Sequence, residues 1–408
     1  MADQYVEVTH QSWGQRLRGS MKGIVFGFVM LAGASMLLFW NEGRAVRRAK
    51  ALNEGEANVI SIDASQPASA HQGRLVHFSA EATTQETLRD PAFDVSSRAI
   101  QLRREVEMYQ WQESSQREER KKLGGGTETV TTYSYSKGWS SSAISSSSFK
   151  EQQGHENPPF PIEGRSWQAQ DVTAGTVRLS PTFISKLDAW QSFAVNSEQL
   201  EAATRALKRE VRLDNGGFYA GASSLSPEIG DVRVTFSQVP PSTASFVGQL
   251  QAGQLMAYQA KTGSVALVNH GIRSSEEMFA TARQSNTVLT WILRFAGIFM
   301  LYVAFNIIFK PLSVLADVVP AIGNLVEKGV GGVAFALAAA LGFFIIAIAW
   351  LFYRPLLAIT LLALTIGLVV WVVKAMRQRP RKAVIPPPPP GAGSPPPPGT
   401  AVPPPPPA

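Results

Sequence analysis

The sequence predicts an α+β membrane protein in which four transmembrane helices carry a large β-rich extramembrane domain, inserted between helices 1 and 2. Apolar runs long enough to cross roughly 30 Å of hydrocarbon occupy residues 22–40, 288–309, 331–352 and 356–373. The long segment between the first two runs, residues 41–287, is polar and alternates as β-strands do. Charged residues make up only 17% of the chain, which fits a protein that exposes part of its length to lipid.

The first apolar run has two interpretations, a signal anchor and a cleavable signal peptide. The run is long for a signal peptide, and Asn41 and Glu42 follow it without a small-residue cleavage site. We therefore expect an uncleaved first span, preceded by a short polar tail at residues 1–21. Glycines such as Gly27 within the run suit close helix packing.

The remaining runs differ in what surrounds them. The second contains Arg294 near one end, where a long side chain can snorkel to the interface. Only Tyr353, Arg354 and Pro355 separate the third run from the fourth, which predicts a tight turn at the bilayer surface. Residues 310–330 have apolar positions at helical spacing, typical of an interfacial amphipathic helix; an ordinary buried connector is the alternative.

The distribution of basic residues predicts the orientation. Residues 374–408 begin with a basic cluster, which favours a cytoplasmic C-terminus. An even number of spans then places the N-terminus on the same side and residues 41–287 in the periplasm of a bacterial inner membrane. The basic residues Arg44, Arg47 and Arg48 oppose this orientation, but long domains cross membranes largely regardless of such charge.

The end of the chain is rich in proline. Such a segment predicts an extended, disordered tail. It either docks on an aromatic-lined groove of a cytosolic polyproline-binding partner or stays solvated without a partner.

The extramembrane segment divides into halves at about residues 41–160 and 161–287. Alternating residues at 105–113 and 127–135 flank a glycine triplet and predict a long antiparallel hairpin, with a helix over 101–122 as the alternative. An apolar stripe from Phe183 to Phe193 and a segment capped by Ser197 predict two helices, and a helix capped by Ser274 is expected to continue into the second span. Further strands are predicted at 57–62, 74–80, 211–213, 232–236, 244–250 and 265–268.

Charged and aromatic side chains are concentrated on the first strand of the predicted hairpin. The charges, Arg103, Arg104, Glu105 and Glu107, indicate a solvated edge or a set of salt bridges within the domain, with partner docking as a further option. On the two strands of the hairpin we also expect a cross-strand aromatic cluster that packs in the core, with a ligand platform as the alternative. Its members are Tyr109, Trp111, Tyr133, Tyr135 and Trp139.

Several motifs resemble the LUMA family of membrane proteins, also called transmembrane protein 43, over residues 20–375. They are NEGRA at 41–45, GRLVH at 73–77, LRREVEMYQW at 102–111, YSYSKGW at 133–139, GHENP at 154–158, PEIGDVRVTFS at 227–237 and WLFYRPL at 350–356. The candidate interaction or family-motif residues are Asn41, Glu42, Gly43, Arg44, Arg103, Arg104, Glu105, Glu107, Tyr109, Trp111, Gly230, Asp231, Arg233, Arg354 and Pro355.

The resemblance implies four spans, cytosolic termini and a large lumenal domain. In animals the family lies in the endoplasmic reticulum and inner nuclear membrane, self-associates and organises membrane proteins with emerin and lamin partners. This chain differs in its proline tail, its lack of cysteine and its shorter second half. Its composition indicates a bacterial member, so only the topology and a membrane-organising role are implied.

Motifs for catalysis are not found. The five histidines form no metalloprotease helix, although His71 and His77 would share a site if a hairpin brought them together. Nucleotide-binding glycine loops are missing, and the basic residues are not gathered as nucleic-acid binding requires. We expect no enzyme activity, catalytic residue, cofactor, metal or nucleic-acid partner.

The function predicted from the sequence is a multi-pass membrane scaffold. It would organise membrane protein complexes through its extracytoplasmic domain and by self-association, with membrane lipids, its own copies and other membrane proteins as partners. An ion channel or conductance regulator formed by oligomerised spans is the alternative.

Overall fold

Three long helices, two large β-sheets and two small two-stranded sheets are the main features of the described chain. In this computed structural model the structure describes residues 3–65, 71–318, 320–356, 358–360 and 374. The helices are α1 (Trp13–Asn58), α2 (Pro181–Ile184), α3 (Leu200–Leu207), α4 (Ser275–Ala316) and α5 (Pro320–Tyr353). Helices α1, α4 and α5 each contain a stretch long and apolar enough to cross a membrane. They confirm the first three predicted spans. Residues 358–360 and 374 are helical, and the rest of the predicted fourth span and the proline-rich tail lie outside the described residues.

Reciprocal capping fixes where the long helices begin. The Ser274 side chain accepts a hydrogen bond from the Glu277 N–H, and the Glu277 carboxylate accepts one from the Ser274 N–H. Ser12 and Gln15 form the same arrangement at the start of α1. Helix α4 then continues from the domain into its apolar stretch without a break, as the sequence predicted.

Helix α1 extends far beyond the membrane segment. The strand predicted at 57–62 is reduced to Ile60–Ser61, because α1 continues to Asn58. Ala51 and Leu52 are buried in a small apolar cluster that also contains Phe279 of α4. This packing keeps the last turns of α1 helical and joins both helices to the domain.

Nineteen strands are found in the described residues. They are β1 (Asp3–Gln11), β2 (Ile60–Ser61), β3 (Leu75–Thr84), β4 (Leu88–Asp90), β5 (Val95–Ser97), β6 (Gln101–Lys121), β7 (Thr127–Ser140), β8 (Arg165–Gln168), β9 (Val172–Ala174), β10 (Val177–Leu179), β11 (Gln191–Phe193), β12 (Arg212–Asp214), β13 (Gly217–Ala220), β14 (Val232–Val239), β15 (Ser242–Gln251), β16 (Gln254–Met256), β17 (Tyr258–Ala260), β18 (Gly263–Val265) and β19 (Leu267–His270).

Two large sheets enclose the domain core. The first, which we call the hairpin sheet, has the order β1-β7-β6-β14-β13-β12, with β8 added to β6 and β11 to β14. In the second, β15, β16, β10, β9 and β3 pair in turn and close into a ring, since β3 also pairs with β15. Stacked and tilted aromatic pairs such as Phe78 with Phe246 and Phe93 with Phe218 fill the core.

The hairpin prediction is confirmed, and the helical alternative over 101–122 is wrong. Leu102, Arg104, Val106 and Met108 of β6 are buried, while Arg103, Glu105 and Glu107 between them are partly or fully exposed, which is the period-2 pattern of a strand. The helix predicted from Phe183 to Phe193 is also wrong beyond Ile184. There the chain forms β11, and Phe193 lies opposite Phe236 of β14, because pairing to the sheet buries these aromatic residues better than an isolated helix would.

The N-terminal segment differs most from expectation. Residues 1–21 are predicted to be a tail across the membrane from the domain, but β1 within them pairs with β7 of that domain, with Gln11 opposite Thr127. The β-branched and aromatic residues Tyr5, Val6 and Val8 favour this strand. Similarly, the connector predicted at 310–330 is largely taken up by the end of α4 and the start of α5.

Close contact between helices depends on glycine. A Cβ at Gly27 of α1 would lie 2.7 Å from the Ile308 side chain and 3.2 Å from the Ala304 carbonyl oxygen of α4. Gly297 of α4 is packed in the same way against Leu38 of α1. Small residues therefore let these apolar helices approach without any hydrophobic driving force between them.

We expect Gly27→Leu to separate α1 from α4 and lower stability by about 1–3 kcal/mol, since no nearby space accommodates the larger side chain. Thermal unfolding in detergent measures the effect. Gly33→Leu is the matched control, because a Cβ at Gly33 meets nothing within 4 Å and the substituted side chain is equally apolar. Equal loss in both variants would contradict the packing argument.

Candidate functional site

A buried ion pair joins the three long helices where they leave the apolar region. The Glu42 carboxylate of α1 is fully buried. It accepts hydrogen bonds from Arg294 Nε at 2.6 Å and Nη2 at 2.9 Å, both on α4, and from Trp350 Nε1 of α5 at 2.8 Å. Bidentate pairing with a third donor is the geometry that compensates two charges for the loss of water. Arg294 therefore pairs inward and does not snorkel.

The neighbouring polar residues extend this contact between α1 and α4. Asn41 Nδ2 donates to the Thr290 carbonyl oxygen at 3.0 Å, and Arg44 donates to Asn286 Oδ1 and Thr290 Oγ1, both at 2.9 Å. Asn286 in turn donates to the Ala45 carbonyl oxygen at 3.0 Å. We call Asn41, Glu42, Arg44, Asn286, Thr290, Arg294 and Trp350 the junction cluster.

The motifs NEGRA and WLFYRPL meet in this cluster, although the contacting residues Glu42 and Trp350 are 308 positions apart in the chain. A Cβ at Gly43 would lie 2.6 Å from the Tyr353 ring, so this close approach requires glycine. The Arg354 N–H donates to the Trp350 carbonyl oxygen at 2.8 Å as α5 ends, and Pro355 follows. The structure thus brings together Asn41, Glu42, Gly43 and Arg44 with the end of α5.

Arg104, predicted on a charged strand, is buried inside the domain. Its Nη1 lies 2.6 Å from the Asp90 carboxylate, which is also buried, and its Nη2 donates to the Glu163 carbonyl oxygen at 2.8 Å. The guanidinium carbon lies 5.1 Å from the Phe93 ring centroid and 5.7 Å from that of Trp167. Arg104 therefore links β6 to β4 and to the segment before β8 inside the domain, and it does not lie on a solvated edge.

The other three predicted charges, Arg103, Glu105 and Glu107, also pair within the domain. Arg103 Nη2 lies 3.0 Å from the Glu105 carboxylate, and its guanidinium stacks 4.4 Å from the Trp190 ring centroid. Glu107 pairs with Arg233 on the adjacent strand β14 at 2.6 Å. The arrangement is that of salt bridges within the domain.

The aromatic residues divide into two groups. Tyr109 lies 5.3 Å from Trp139, which contacts Tyr219, a residue that the sequence analysis missed. The Tyr219 hydroxyl donates to the buried Asp231 carboxylate at 2.7 Å, and burial together with Asp231 raises the pKa of Tyr219. Asp231 also accepts from the Glu228 N–H, and the Gly230 N–H donates to the Tyr109 carbonyl oxygen.

The second group surrounds His155 of the GHENP motif. Its ring stacks on Tyr135 with centroids 3.9 Å apart and meets Trp111 edge-on at 4.7 Å. Burial raises the pKa of Tyr135 to about 12, helped by a 2.7 Å hydrogen bond from its hydroxyl to the Glu113 carboxylate. His155 is not predicted in this group from the sequence, because only the folded loop brings it to the hairpin.

Metal-binding geometry does not occur in the described ranges, where no three His, Cys, Asp or Glu side chains are grouped for it. The ring nitrogens of His77 lie 3.1 Å from Ser61 Oγ and 2.8 Å from the Arg273 carbonyl oxygen. His77 therefore joins β2 and β3 to the start of α4.

A second ionic group lies at the opposite ends of the helices. Arg16 of α1 pairs with Asp317 at 2.7 Å and donates to the Gly125 carbonyl oxygen at 2.6 Å, and Lys121 lies 2.8 Å from the same buried Asp317. Trp13 Nε1 donates to the Val314 carbonyl oxygen at 2.9 Å. We call these residues the hairpin-tip cluster, because Lys121 and Gly125 belong to the tip of the β6-β7 hairpin.

Comparison with known proteins identifies the family to which the chain belongs. A sequence profile described as "Transmembrane protein 43" matches residues 108–355. Transmembrane protein 43 of Rattus norvegicus is 34% identical over 357 residues, which cover 84% of this chain and 88% of that protein. The chain belongs to the transmembrane protein 43 family. The Homo sapiens protein is 33% identical over 365 residues, covering 86% of this chain and 90% of that protein.

The relationship extends beyond vertebrates. The transmembrane protein 43 homolog of Drosophila melanogaster is 29% identical over 379 residues, covering 88% of this chain and 96% of that protein. No solved structure shows significant similarity. The family description names a membrane protein and no reaction, and the three apolar helices agree with an integral membrane protein.

We expect Glu42→Gln to destabilise the protein by about 3–5 kcal/mol, because Arg294 would remain buried without its counter-charge. Thermal unfolding in detergent measures this loss. The double variant Glu42→Met with Arg294→Met should recover most of it, since both charges are removed together.

The control for this pair is Glu201→Gln, which breaks the exposed ion pair with Arg205 and should leave the unfolding temperature unchanged. If Glu42→Gln were as mild as Glu201→Gln, the junction cluster would not hold the helices together.

Proposed function

We propose that this membrane protein is a non-enzymatic scaffold that self-associates through strand β1 and organises other membrane proteins through its extramembrane domain. One observation supports this proposal above the others. A polar sheet with an open edge runs alongside the apolar helices, between the domain and the hairpin-tip cluster.

The lengths of the two elements match. From Met108, the last β6 residue paired with β14, to Lys121 the strand extends roughly 43 Å at about 3.3 Å per residue. From Arg16 to Glu42 helix α1 rises roughly 39 Å at 1.5 Å per residue. Since the hairpin starts in the domain and its tip contacts Arg16, the strands lie beside the segment of α1 that is apolar enough to cross a membrane.

The outer edge of such a sheet requires hydrogen-bond partners for its backbone groups. Among the described residues β1 pairs with β7 alone, so its other side presents unpaired backbone N–H and C=O groups. Each such group costs several kcal/mol in hydrocarbon. Val6 is 54% exposed and Val8 49% exposed on this strand. A second copy offers the same edge, and antiparallel pairing of two β1 strands about a twofold axis covers both.

The extramembrane domain is the second part of the proposal. We place it in the periplasm of a bacterial inner membrane, with the hairpin-tip cluster on the cytoplasmic side. Its rigid sheets would present binding surfaces to other membrane proteins, and the proline-rich tail would be available to a polyproline-binding partner inside the cell.

A single cysteine tests self-association directly, because the chain contains none of its own. We expect Val6→Cys or Val8→Cys to form a disulfide-linked dimer in membranes on mild oxidation. Leu225→Cys, at a domain position that is 96% exposed, is the control and should remain monomeric.

The same control variant tests the orientation, since an impermeant maleimide should label Leu225→Cys from the periplasmic side. A β1 cysteine that never cross-links, together with a monomer in native mass spectrometry, would refute self-association through this strand.

A channel is the second candidate, and one cavity favours it. About 660 Å³ of space between the hairpin and α4 is lined by polar side chains that include Arg16, Glu119, Lys121, Asn306 and Lys310. Oligomers that enclose several such cavities would form a water-filled path. This candidate predicts ion flux into liposomes that contain the purified protein, with altered ion selectivity after Lys310→Glu. The scaffold requires no flux.

A further inference from the structure

A cleft with three cationic side chains lies where the domain meets α1 and α4. It encloses about 660 Å³ and is lined by residues that include Arg44, Arg48, Lys186, Asp188, Asn286 and Leu289. Arg44 and Arg48 are one turn apart on α1, and Lys186 follows α2 in the domain. Two parts of the chain that are distant in sequence, α1 and the segment after α2, therefore direct positive charge to one place.

Only neutral groups are seen to hold these cations. Arg48 Nη1 donates to the Ser264 carbonyl oxygen at 2.7 Å, and the Lys186 ammonium donates to the Ala266 carbonyl oxygen. Arg44 donates to amide and hydroxyl oxygens of Asn41, Asn286 and Thr290. In the part of the chain that the structure describes, none of the three has a carboxylate within 4.0 Å.

The local electrostatics support an anion site. Partial desolvation lowers the pKa of Lys186, and the nearby Arg48 guanidinium lowers it further by a smaller amount. Asp188 also lines the cleft, but it is paired with His270 Nε2 at 2.6 Å. The lining residues carry three cations and one carboxylate, so the net charge of the cleft is positive. A phosphate group would provide strong charge-assisted hydrogen bonds to these cations.

The position of the cleft indicates that the phosphate belongs to a membrane lipid. Leu289, which lines the cleft, is at the start of the apolar run of α4, and the exposed Trp291 follows it. Tryptophan at this point is typical of the level of lipid headgroups. We propose that the cleft binds the phosphate of an anionic membrane lipid, with the headgroup between Arg48 and Lys186 and the acyl chains beside Leu289.

A lipid site also explains why basic residues follow the first span on the domain side, where they oppose the predicted orientation. Basic residues just outside a span normally lie on the cytoplasmic side. Arg44 and Arg48 lie on the domain side of the first span. A bound lipid phosphate gives them a function there that does not depend on orientation during insertion.

Native mass spectrometry of the full-length protein in detergent tests the proposal, with titration of phosphatidylglycerol or phosphatidylcholine that carry the same acyl chains. The variant is Arg48→Gln with Lys186→Gln; Arg44 is kept because it belongs to the junction cluster. We expect the wild type to retain phosphatidylglycerol in preference to phosphatidylcholine, and the variant to bind it roughly 30-fold more weakly, at about 1 kcal/mol for each cation.

The matched control is Arg98→Gln with Lys208→Gln, which removes the same charge at exposed positions that do not line the cleft. It should bind phosphatidylglycerol as the wild type does. Circular dichroism and the unfolding temperature without added lipid verify that both double variants fold.

Three results would overturn the proposal. They are equal retention of the two lipids by the wild type, equal phosphatidylglycerol binding by wild type and the cleft variant, and stabilisation of the wild type by inorganic phosphate as strong as that by phosphatidylglycerol. The last result would identify a free phosphate as the ligand. Loss confined to the cleft variant, without any effect of inorganic phosphate, supports the lipid.

Discussion

The Glu42–Arg294 ion pair is the interaction on which the arrangement of the long helices depends. A charge at the end of a membrane span is costly alone, and two charges in bidentate contact with a third donor from Trp350 are tolerated only when all three helices are in place. The pair therefore selects one alignment of α1, α4 and α5. Apolar side chains in contact with lipid would not distinguish that alignment from others, because lipid is as apolar as they are.

The rest of the molecule continues from this point in two directions. On the domain side, α1 and α4 extend past the junction cluster and pack against the closed sheet, so the domain contacts the helices that form the spans directly. On the other side, the hairpin tip is held by Arg16, Asp317 and Lys121. Ionic contacts thus lie at both ends of the apolar stretches of α1 and α4. The hairpin sheet extends from the domain to the hairpin-tip cluster.

The proposals of self-association and of a channel both rest on the polar hairpin that lies beside the apolar helices. A soluble protein leaves an edge strand in water, where solvent satisfies the backbone. Beside a membrane span only protein or enclosed water does so. The proposed self-association through β1 and the proposed polar path through the cavity between the hairpin and α4 would each satisfy these backbone and side-chain polar groups.

Much of the fold was predictable because its patterns are local. The three described spans followed from apolar length, the β6-β7 hairpin from the alternation of Val106 and Met108 with polar residues, and the start of α4 from the cap at Ser274. The helix predicted through Phe193 failed because the burial of that residue against Phe236 is decided by a strand more than forty residues away.

The sequence by itself determined that this is a membrane protein with a β-rich domain, since chain composition and periodicity carry that information. Only the tertiary structure decided that Glu42 pairs with Arg294, that Arg104 is buried with Asp90, that β1 joins the hairpin and that Arg48 and Lys186 share a cleft. These contacts join residues far apart in the chain. Whether such a residue pairs, is buried or lines a cleft depends on its neighbours in the folded protein, and the local sequence does not contain that information.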